Sequence, residues 1–241
     1  MKNTAQLKIV VISFSGNMGK TTLSANLLSP RMADAQIFSV ESLNVDSSAD
    51  GLDVEKVRGK QYNDLMTILM QRDAAIIDVG ASNVEEFLKQ MQQYSGSHEE
   101  FDYFLVPTIK EKKQQADTVN TLRALAALGI PKNKIRLVFN KVDSDDSVLD
   151  DFASLFGLAE LEKGFVINEK AIVYSSPLYD QMKTVGKSLA DITSDDTDYR
   201  ARMRVTESQE EKEHCINMVA MKRLSVNANK NLDDVFKALF K

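Results

Sequence analysis

Short apolar runs alternate with amphipathic stretches along most of this chain. The runs are rich in β-branched and aromatic residues, as in strands buried on both faces of a parallel sheet, and lie at 7–14, 35–40, 74–77, 101–106, 135–139 and 164–167. The stretches between them carry apolar residues at helical spacing, at 20–28, 61–70, 84–94, 114–128, 148–156 and 178–190. This alternation predicts an α/β fold with a doubly wound, mostly parallel sheet.

The pattern changes near Ile192, where the polar segment 194–198 (SDDTD) interrupts it. Residues 206–209 (TESQ) have the spacing of a capping box, which predicts one helix to about Leu224 and a short one over 232–240. We therefore predict a main domain over 1–194 and a C-terminal helical extension over 195–241. The extension is amphipathic, and both packing onto the domain and binding a partner remain open.

Composition narrows the class of protein. The chain has 241 residues, of which 43% are hydrophobic, enough for a sizeable core. One cysteine and two histidines offer neither a disulfide nor enough soft ligands for a transition metal. Without an apolar run of membrane-spanning length or a secretion signal, we expect a soluble cytoplasmic protein with no membrane span.

The charge balance argues against broad attraction to nucleic acid. The net charge is −5, the pI is about 5.2, and tryptophan is absent. The densest basic cluster contains Arg200, Arg202 and Arg204. It fits either a solvated helix face or a local basic patch, so any DNA binding would use such a patch or an adaptor protein.

The segment from Phe14 to Thr22 (FSGNMGKTT) carries the most specific chemistry. It resembles the phosphate-binding loop G-x-x-x-x-G-K-[ST], with Phe14 in place of the leading glycine. A predicted strand precedes it and a predicted helix follows it, so backbone N–H groups and the helix N-terminus face the same point.

These residue types fit a nucleoside triphosphate with Mg²⁺. The Lys20 ammonium would contact the β- and γ-phosphates, the Thr21 hydroxyl would bind Mg²⁺, and Thr22 would bind the α-phosphate. The predicted nucleotide-binding residues are Ser15, Gly16, Asn17, Met18, Gly19, Lys20, Thr21, Thr22 and Asn140.

Two acidic residues at predicted strand ends are candidates for the same site. Asp78 follows the run 74–77, and an Asp there downstream of a phosphate loop is typical of a residue that holds Mg²⁺ through water. Glu41 follows the second strand and fits either a carboxylate near the metal or an exposed loop acid. The candidate metal residues are therefore Thr21 and Asp78, and the candidate catalytic residues are Lys20, Asp78 and Glu41.

The segment Asn140-Lys141-Val142-Asp143 follows the fifth strand. An asparagine amide there can pair with a purine edge, and the spacing is similar to the guanine-reading NKxD of GTP-binding proteins. A polar turn explains Lys141 and Asp143 equally well. GTP therefore remains possible beside ATP.

Taken together, these residues resemble the ParA/MinD superfamily of P-loop ATPases over roughly 7–192, most closely its StbB-type plasmid stability proteins. The resemblance rests on GKTT, Asp78, the Val106-Pro107-Thr108 step and Asn140. It implies a bacterial, nucleotide-dependent homodimer that positions DNA or other cargo. It also places Asn140 against adenine, which favours ATP.

Two positions depart from that superfamily. Its signature lysine, which reaches the partner's phosphates across the dimer, falls at Ser15, and its catalytic Asp falls at Leu43. Loss of both predicts slow or partner-dependent hydrolysis, since a charge stabiliser of this kind can be worth about 10³–10⁵ in rate. A GTPase and a non-hydrolysing scaffold remain alternatives. A metabolic kinase or ligase is disfavoured because no dedicated substrate constellation is visible.

Overall fold

A computed structural model describes residues 6–40, 54–57 and 62–241, with only the backbone given at 54–57. The strands are β1 (Lys8–Val11), β2 (Gln36–Val40), β3 (Val54–Val57), β4 (Ala75–Val79), β5 (Tyr103–Thr108), β6 (Ile135–Val142) and β7 (Ile172–Tyr174). The α-helices are α1 (Lys20–Thr22), α2 (Tyr62–Met70), α3 (Val84–Gln93), α4 (Lys112–Ala127), α5 (Val148–Asp151), α6 (Ala153–Glu162), α7 (Leu178–Val185), α8 (Leu189–Ser194), α9 (Tyr199–Val205) and α10 (Gln209–Phe240).

The described strands form one seven-stranded sheet in the order β3-β2-β4-β1-β5-β6-β7. Every neighbouring pair is parallel, which confirms the predicted fold class. The first strand, β1, lies at the centre between β4 and β5. Loops that leave the carboxyl ends of these central strands therefore meet at one edge of the sheet.

Helices cover the sheet on both faces, which is why its strands read as continuous apolar runs. Side chains alternate along β1: Val10 packs into one core cluster with Phe104 and Phe139, whereas Ile9 and Val11 pack into the other. The first cluster includes residues of α2, α3 and α4, and the second includes residues of α7, α8 and α10.

Two strand predictions near the end of the sheet were wrong. Segment 164–167 forms only an isolated bridge between Val166 and Arg136, and the seventh strand is instead Ile172–Tyr174. The strand predicted over 101–106 is shifted, because β5 begins at Tyr103 and continues through Pro107 to Thr108. The Leu105 carbonyl accepts a hydrogen bond from the Ile12 N–H at the end of the β1 pairing. Pro107, two residues on, faces the same side beyond this pairing, so its missing N–H costs the ladder no hydrogen bond.

The C-terminal segment contains α9 and one continuous helix, α10, rather than the predicted helix to about Leu224 followed by a short one over 232–240. The Ser208 hydroxyl accepts from the Glu211 N–H and caps α10. A buried stripe at helical spacing continues through the small residues Ser225 and Ala228, so the second core cluster extends along α10. Although α10 has 32 residues, it is not apolar enough to cross a membrane, and neither is any other helix in the described ranges.

Arg31 ties the segment after the phosphate loop to α10. Its guanidinium donates to the Asn26 and Leu27 carbonyls at 2.8 and 3.3 Å, and to Asp233 Oδ1 at 2.9 Å. It also donates to the carbonyl and side-chain oxygens of Asn229. The Arg31 side chain is only 10% exposed, so these contacts satisfy a charge that burial would otherwise penalise.

We expect Arg31→Met to lower the free energy of unfolding by about 2–3 kcal/mol, because several carbonyl and carboxylate oxygens lose a charged donor. Urea denaturation measures this change. Lys237→Met is the matched control: Lys237 pairs with Asp234 on the surface of α10, so its loss should cost less than about 1 kcal/mol. Equal effects of the two substitutions would show that the Arg31 contacts stabilise no more than a surface pair.

Candidate functional site

The candidate site lies at the carboxyl edge of the sheet, where β1, β4 and β6 end. Residues 12–19 connect β1 to α1, and a π-helix, Leu23–Leu28, continues α1 without interruption. The predicted phosphate loop is therefore held between a central buried strand and a helix that packs in the second core cluster. This is the strand–loop–helix arrangement that the sequence predicts.

The loop adopts a backbone suited to a phosphate cradle. Gly19 has a φ of 78°, and a Cβ built on it would lie 2.3 Å from Asn140 Nδ2. Glycine is therefore required at this position for both conformation and space. Phe14, which replaces the usual leading glycine, is half-buried, and its N–H donates to Thr121 Oγ1 at 3.2 Å.

Lys20 is buried at the base of the loop and is 8% exposed. Its Nζ donates to the carbonyl oxygens of Ser13 and Ser15 at 3.3 and 2.9 Å. Burial lowers the pKa of the Lys20 amine, and the nearby Asp78 carboxylate partly offsets this by raising it. An ammonium has three donors, so one remains for a phosphate oxygen.

Asp78 lies within β4, one residue before its end, and is 4% exposed. It is in register with Val11 of β1 and Ser39 of β2. Thr21 is exposed at the start of α1. A carboxylate and a hydroxyl are oxygen ligands of the kind that Mg²⁺ takes, so the residues present fit this ion.

The described residues contain no cluster of three or more His, Cys, Asp or Glu that could hold a metal. Mg²⁺ in phosphate loops is generally held by waters and phosphate oxygens with few protein ligands, so this ion does not require such a cluster. Thr21 and Asp78 are the described residues that would hold it.

The end of β6 contacts the loop directly. Asn140 is 4% exposed, and its Nδ2 donates to the Met18 carbonyl at 2.7 Å. Lys141 is exposed, and its Nζ donates to the Asn17 carbonyl at 2.9 Å. Asp143 instead accepts from Lys110 Nζ at 3.3 Å.

Ser15, the position of the superfamily's signature lysine, is buried and occupied by a different interaction. Its hydroxyl donates to Asp117 Oδ2 of α4, while its carbonyl accepts from Lys20. Asp117 could not be predicted from the sequence, because a single acidic residue in an amphipathic helix has no distinguishing pattern before the helix is packed. The same holds for Thr121, which contacts Phe14.

An open cleft of about 560 Å³ lies beside this part of the loop. Two carboxylates, Glu85 and Asp117, contribute to its walls. Its lining residues are Phe14, Ala81, Ser82, Glu85, Asp117 and Asn120. The cleft adjoins Ser15 through Phe14, the residue before it, and through Asp117, which accepts from its hydroxyl.

Glu41 and Leu43 lie outside the described residues, so the catalytic role of Glu41 stays a prediction. The described part of β2 ends at Val40, whose carbonyl accepts from the Gly80 N–H at 2.9 Å and from Asn83 Nδ2 at 3.1 Å. These bonds join the end of β2 to the loop that follows Asp78.

The predicted basic cluster lies on α9, which is not part of the phosphate loop or of the strands that flank it. Arg200, Arg202 and Arg204 are all exposed, and Arg202 pairs with Glu211 at 2.7 Å. The structure does not join them to the phosphate loop through any described hydrogen bond or ion pair. A solvated face and a local basic patch both remain compatible with this surface.

The family model described as the CobQ/CobB/MinD/ParA nucleotide binding domain matches residues 9–181. The matched region begins in β1, contains the whole loop, Asp78 and Asn140, and ends in α7. A comparison with curated proteins found no match.

Several solved structures share the fold. An ATP complex of McdA from Cyanothece has a TM-score of 0.51 and 14% identity, covering 98% of this chain and 97% of that chain. The MinC:MinD cell division complex of Aquifex aeolicus has a TM-score of 0.56 and 15% identity, covering 77% of this chain and 88% of that chain. The cell division ATPase MinD of Pyrococcus furiosus has a TM-score of 0.52 and 14% identity, covering 95% of this chain and 98% of that chain.

We expect Gly19→Ala to weaken binding of a nucleoside triphosphate at least tenfold, since the new Cβ would displace Asn140 and strain the loop. Displacement of a fluorescent nucleotide measures the affinity. Gly157→Ala is the control: it lies in α6 with open space around it and should leave binding unchanged. Unchanged affinity in Gly19→Ala would show that this loop is not the binding site.

Lys20→Met tests the electrostatic state of the loop. Because the folded pKa of Lys20 is lowered, the unfolded chain binds the proton more tightly, so wild-type stability rises with pH from that lowered pKa toward 10.5. Below this window the burial penalty is fully present. We therefore expect the wild type to gain stability relative to Lys20→Met as the pH rises through this window.

The stability of the wild type relative to Lys20→Met should change in this direction up to about pH 10, because only the wild type has an amine at this position that deprotonates. Urea denaturation at several pH values, without nucleotide, provides the measurement. A constant difference across this range would contradict the assigned cause of the pKa shift.

Proposed function

We propose that this chain, which belongs to the CobQ/CobB/MinD/ParA family of nucleotide-binding domains, is a slow ATPase that binds ATP with Mg²⁺ through residues 15–22. The observation that carries the proposal is the buried Lys20 ammonium within a loop bounded by β1 and α1. A buried cation that retains a donor, beside a helix N-terminus, is suited to a polyphosphate anion.

The contacts of Asn140 favour adenine over guanine. One of its side-chain N–H groups donates to the Met18 carbonyl, which orients the amide, and its side-chain oxygen can then accept a hydrogen bond from a base. Adenine presents an exocyclic amine donor at the position where guanine presents an oxygen acceptor. Asp143, which a guanine reader would need, is paired with Lys110.

Each of three loop residues binds a different part of the Mg·triphosphate. Lys20 neutralises charge on the β- and γ-phosphates, Thr21 binds Mg²⁺, and Thr22 binds the α-phosphate. Asp78, one residue before the end of β4, would hold Mg²⁺ through water. When bound, Mg²⁺ would supply positive charge that neutralises the triphosphate.

Slow hydrolysis follows from Ser15. A hydroxyl bonded to Asp117 supplies no positive charge to a partner's phosphates. The cleft beside Ser15 has carboxylates in its walls, so a basic side chain of a second protein has complementary charge there. Turnover is therefore low alone and rises with a partner.

The biological setting is a nucleotide switch in plasmid stability, segregation or conjugative transfer, acting in the bacterial cytoplasm as a nucleotide-dependent homodimer. Support comes from the family and from solved relatives of the same fold, which include an ATP complex and a complex with a second protein. DNA contact occurs through an adaptor or through Arg200 and Arg204 of α9.

A non-hydrolysing nucleotide-dependent scaffold is the second candidate, and Ser15 is the observation that favours it. Both candidates bind ATP and differ in turnover. The predicted division into a domain over 1–194 and an extension over 195–241 stays a proposal, although α10 packs in the second core cluster.

Single-turnover hydrolysis of Mg·ATP, with displacement by GTP as the specificity check, tests the proposal. We expect slow ADP release by wild type, ATP binding tighter than GTP binding, and loss of both binding and turnover in Lys20→Ala. Ser15→Lys should raise the rate at least tenfold by restoring a cation, whereas Ser15→Ala should not. Wild-type affinity in Lys20→Ala would refute the site. Complete absence of ADP over hours, with or without DNA and partners, would favour the scaffold.

A further inference from the structure

Two adjacent side chains at the end of β6 bind two adjacent carbonyls of the phosphate loop. Asn140 donates to the Met18 carbonyl at 2.7 Å, and Lys141 donates to the Asn17 carbonyl at 2.9 Å. Asn140 is 122 positions from Met18 in sequence, and Lys141 is 124 positions from Asn17. The sheet therefore places β6 against the loop at two consecutive peptide groups.

These bonds fix the direction of the loop's N–H groups. In a trans peptide unit, the C=O of one residue and the N–H of the next point in opposite directions. Drawing the Asn17 carbonyl toward β6 turns the Met18 N–H away from β6, and the Asn140 bond does the same for the Gly19 N–H. These N–H groups belong to the cradle that would bind phosphate oxygens.

The backbone at both ends of the Lys141 contact is in the left-handed region. Asn17 has a φ of 59° and Lys141 a φ of 55°, and both are non-glycine residues. Such conformations persist where the surroundings hold them, and each costs about 1 kcal/mol or more. The hydrogen bond from the Lys141 ammonium to the Asn17 carbonyl joins these two residues and stabilises the left-handed backbone of each.

We infer that Lys141 is a positioning residue for the triphosphate: with Asn140, it sets the peptide planes of residues 17–19 before the nucleotide binds, and it does not read the base. The inference rests on the proposed nucleotide-binding function and assigns within it a residue outside the loop. It also gives the Lys of Asn140-Lys141-Val142-Asp143 a role that is independent of guanine.

The consequence is a specific pattern of affinities. A residue that presets the phosphate cradle affects every ligand with the same phosphates by the same factor, whatever its base. A base reader would instead change the ratio of ATP to GTP affinity and leave a ligand without a base unaffected. Inorganic tripolyphosphate is such a ligand.

The experiment measures the affinities of tripolyphosphate, Mg·ATP and Mg·GTP for wild type, Lys141→Met and Lys141→Arg in 1 M salt. At this salt concentration the screening length is about 3 Å, so the general attraction of an exposed ammonium is suppressed. Lys132→Met is the matched control, because Lys132 is an exposed lysine just before the other end of β6.

We expect Lys141→Met to weaken all three ligands by about the same factor, roughly tenfold, the value of one hydrogen bond to a charged donor. Lys141→Arg should restore most of the affinity, and Lys132→Met should have no effect. In the nucleotide-free protein, the amide NMR resonance of Met18 should shift in Lys141→Met and return toward its wild-type position in Lys141→Arg.

Unchanged tripolyphosphate affinity in Lys141→Met would overturn the inference while leaving the binding site intact. A changed ratio of ATP to GTP affinity would overturn it in favour of base reading. Failure of wild type to bind any of the three ligands would instead refute the proposed function itself, and the inference with it.

Discussion

The fold depends at its functional edge on a buried ammonium. Lys20 is 8% exposed and its charge is held by the loop's own carbonyls, those of Ser13 and Ser15. Burial makes this charge costly, and Asp78 offsets only part of the cost. An anion with several acceptor oxygens would complete the arrangement, which is why the site is suited to a triphosphate.

The rest of the structure holds the loop around that charge from several directions. From α4, Thr121 accepts from the Phe14 N–H and Asp117 accepts from Ser15. From β6, Asn140 and Lys141 bind the Met18 and Asn17 carbonyls. Helix α10 contributes at a distance, since its Asn229 and Asp233 bind Arg31 at the end of the segment that continues α1. The loop is therefore set by packing of the whole sheet and not by its own sequence alone.

Sequence patterns predicted what depends on local or periodic signals. Buried parallel strands are continuous apolar runs, so β1, β2, β4, β5 and β6 were recognisable, and GKTT placed the loop between a strand and a helix. The same reasoning placed Asp78 and Asn140 at the edge where they lie. To predict these features, one needs to know only where each strand lies, its direction and where it ends.

Contacts between distant elements were not predictable in this way. Asp117, Thr121 and Arg31 acquire their roles only when α4 and α10 pack against the loop region, and one sequence carries no mark of that pairing. The continuity of α10 was not predicted, since it depends on burial of the small residues Ser225 and Ala228 between the two predicted helices. Strand β7 was missed because it has only three residues, which is too short for a clear strand pattern.

Amide hydrogen exchange with and without Mg·ATP tests the central claim most directly, because it reports on individual backbone N–H groups. The account predicts that Mg·ATP strongly protects the amides of residues 16–22 in wild type and gives no such protection in Lys20→Ala. Protection of the same residues in both proteins, or protection confined to another part of the chain, would contradict the assignment of this loop as the nucleotide site.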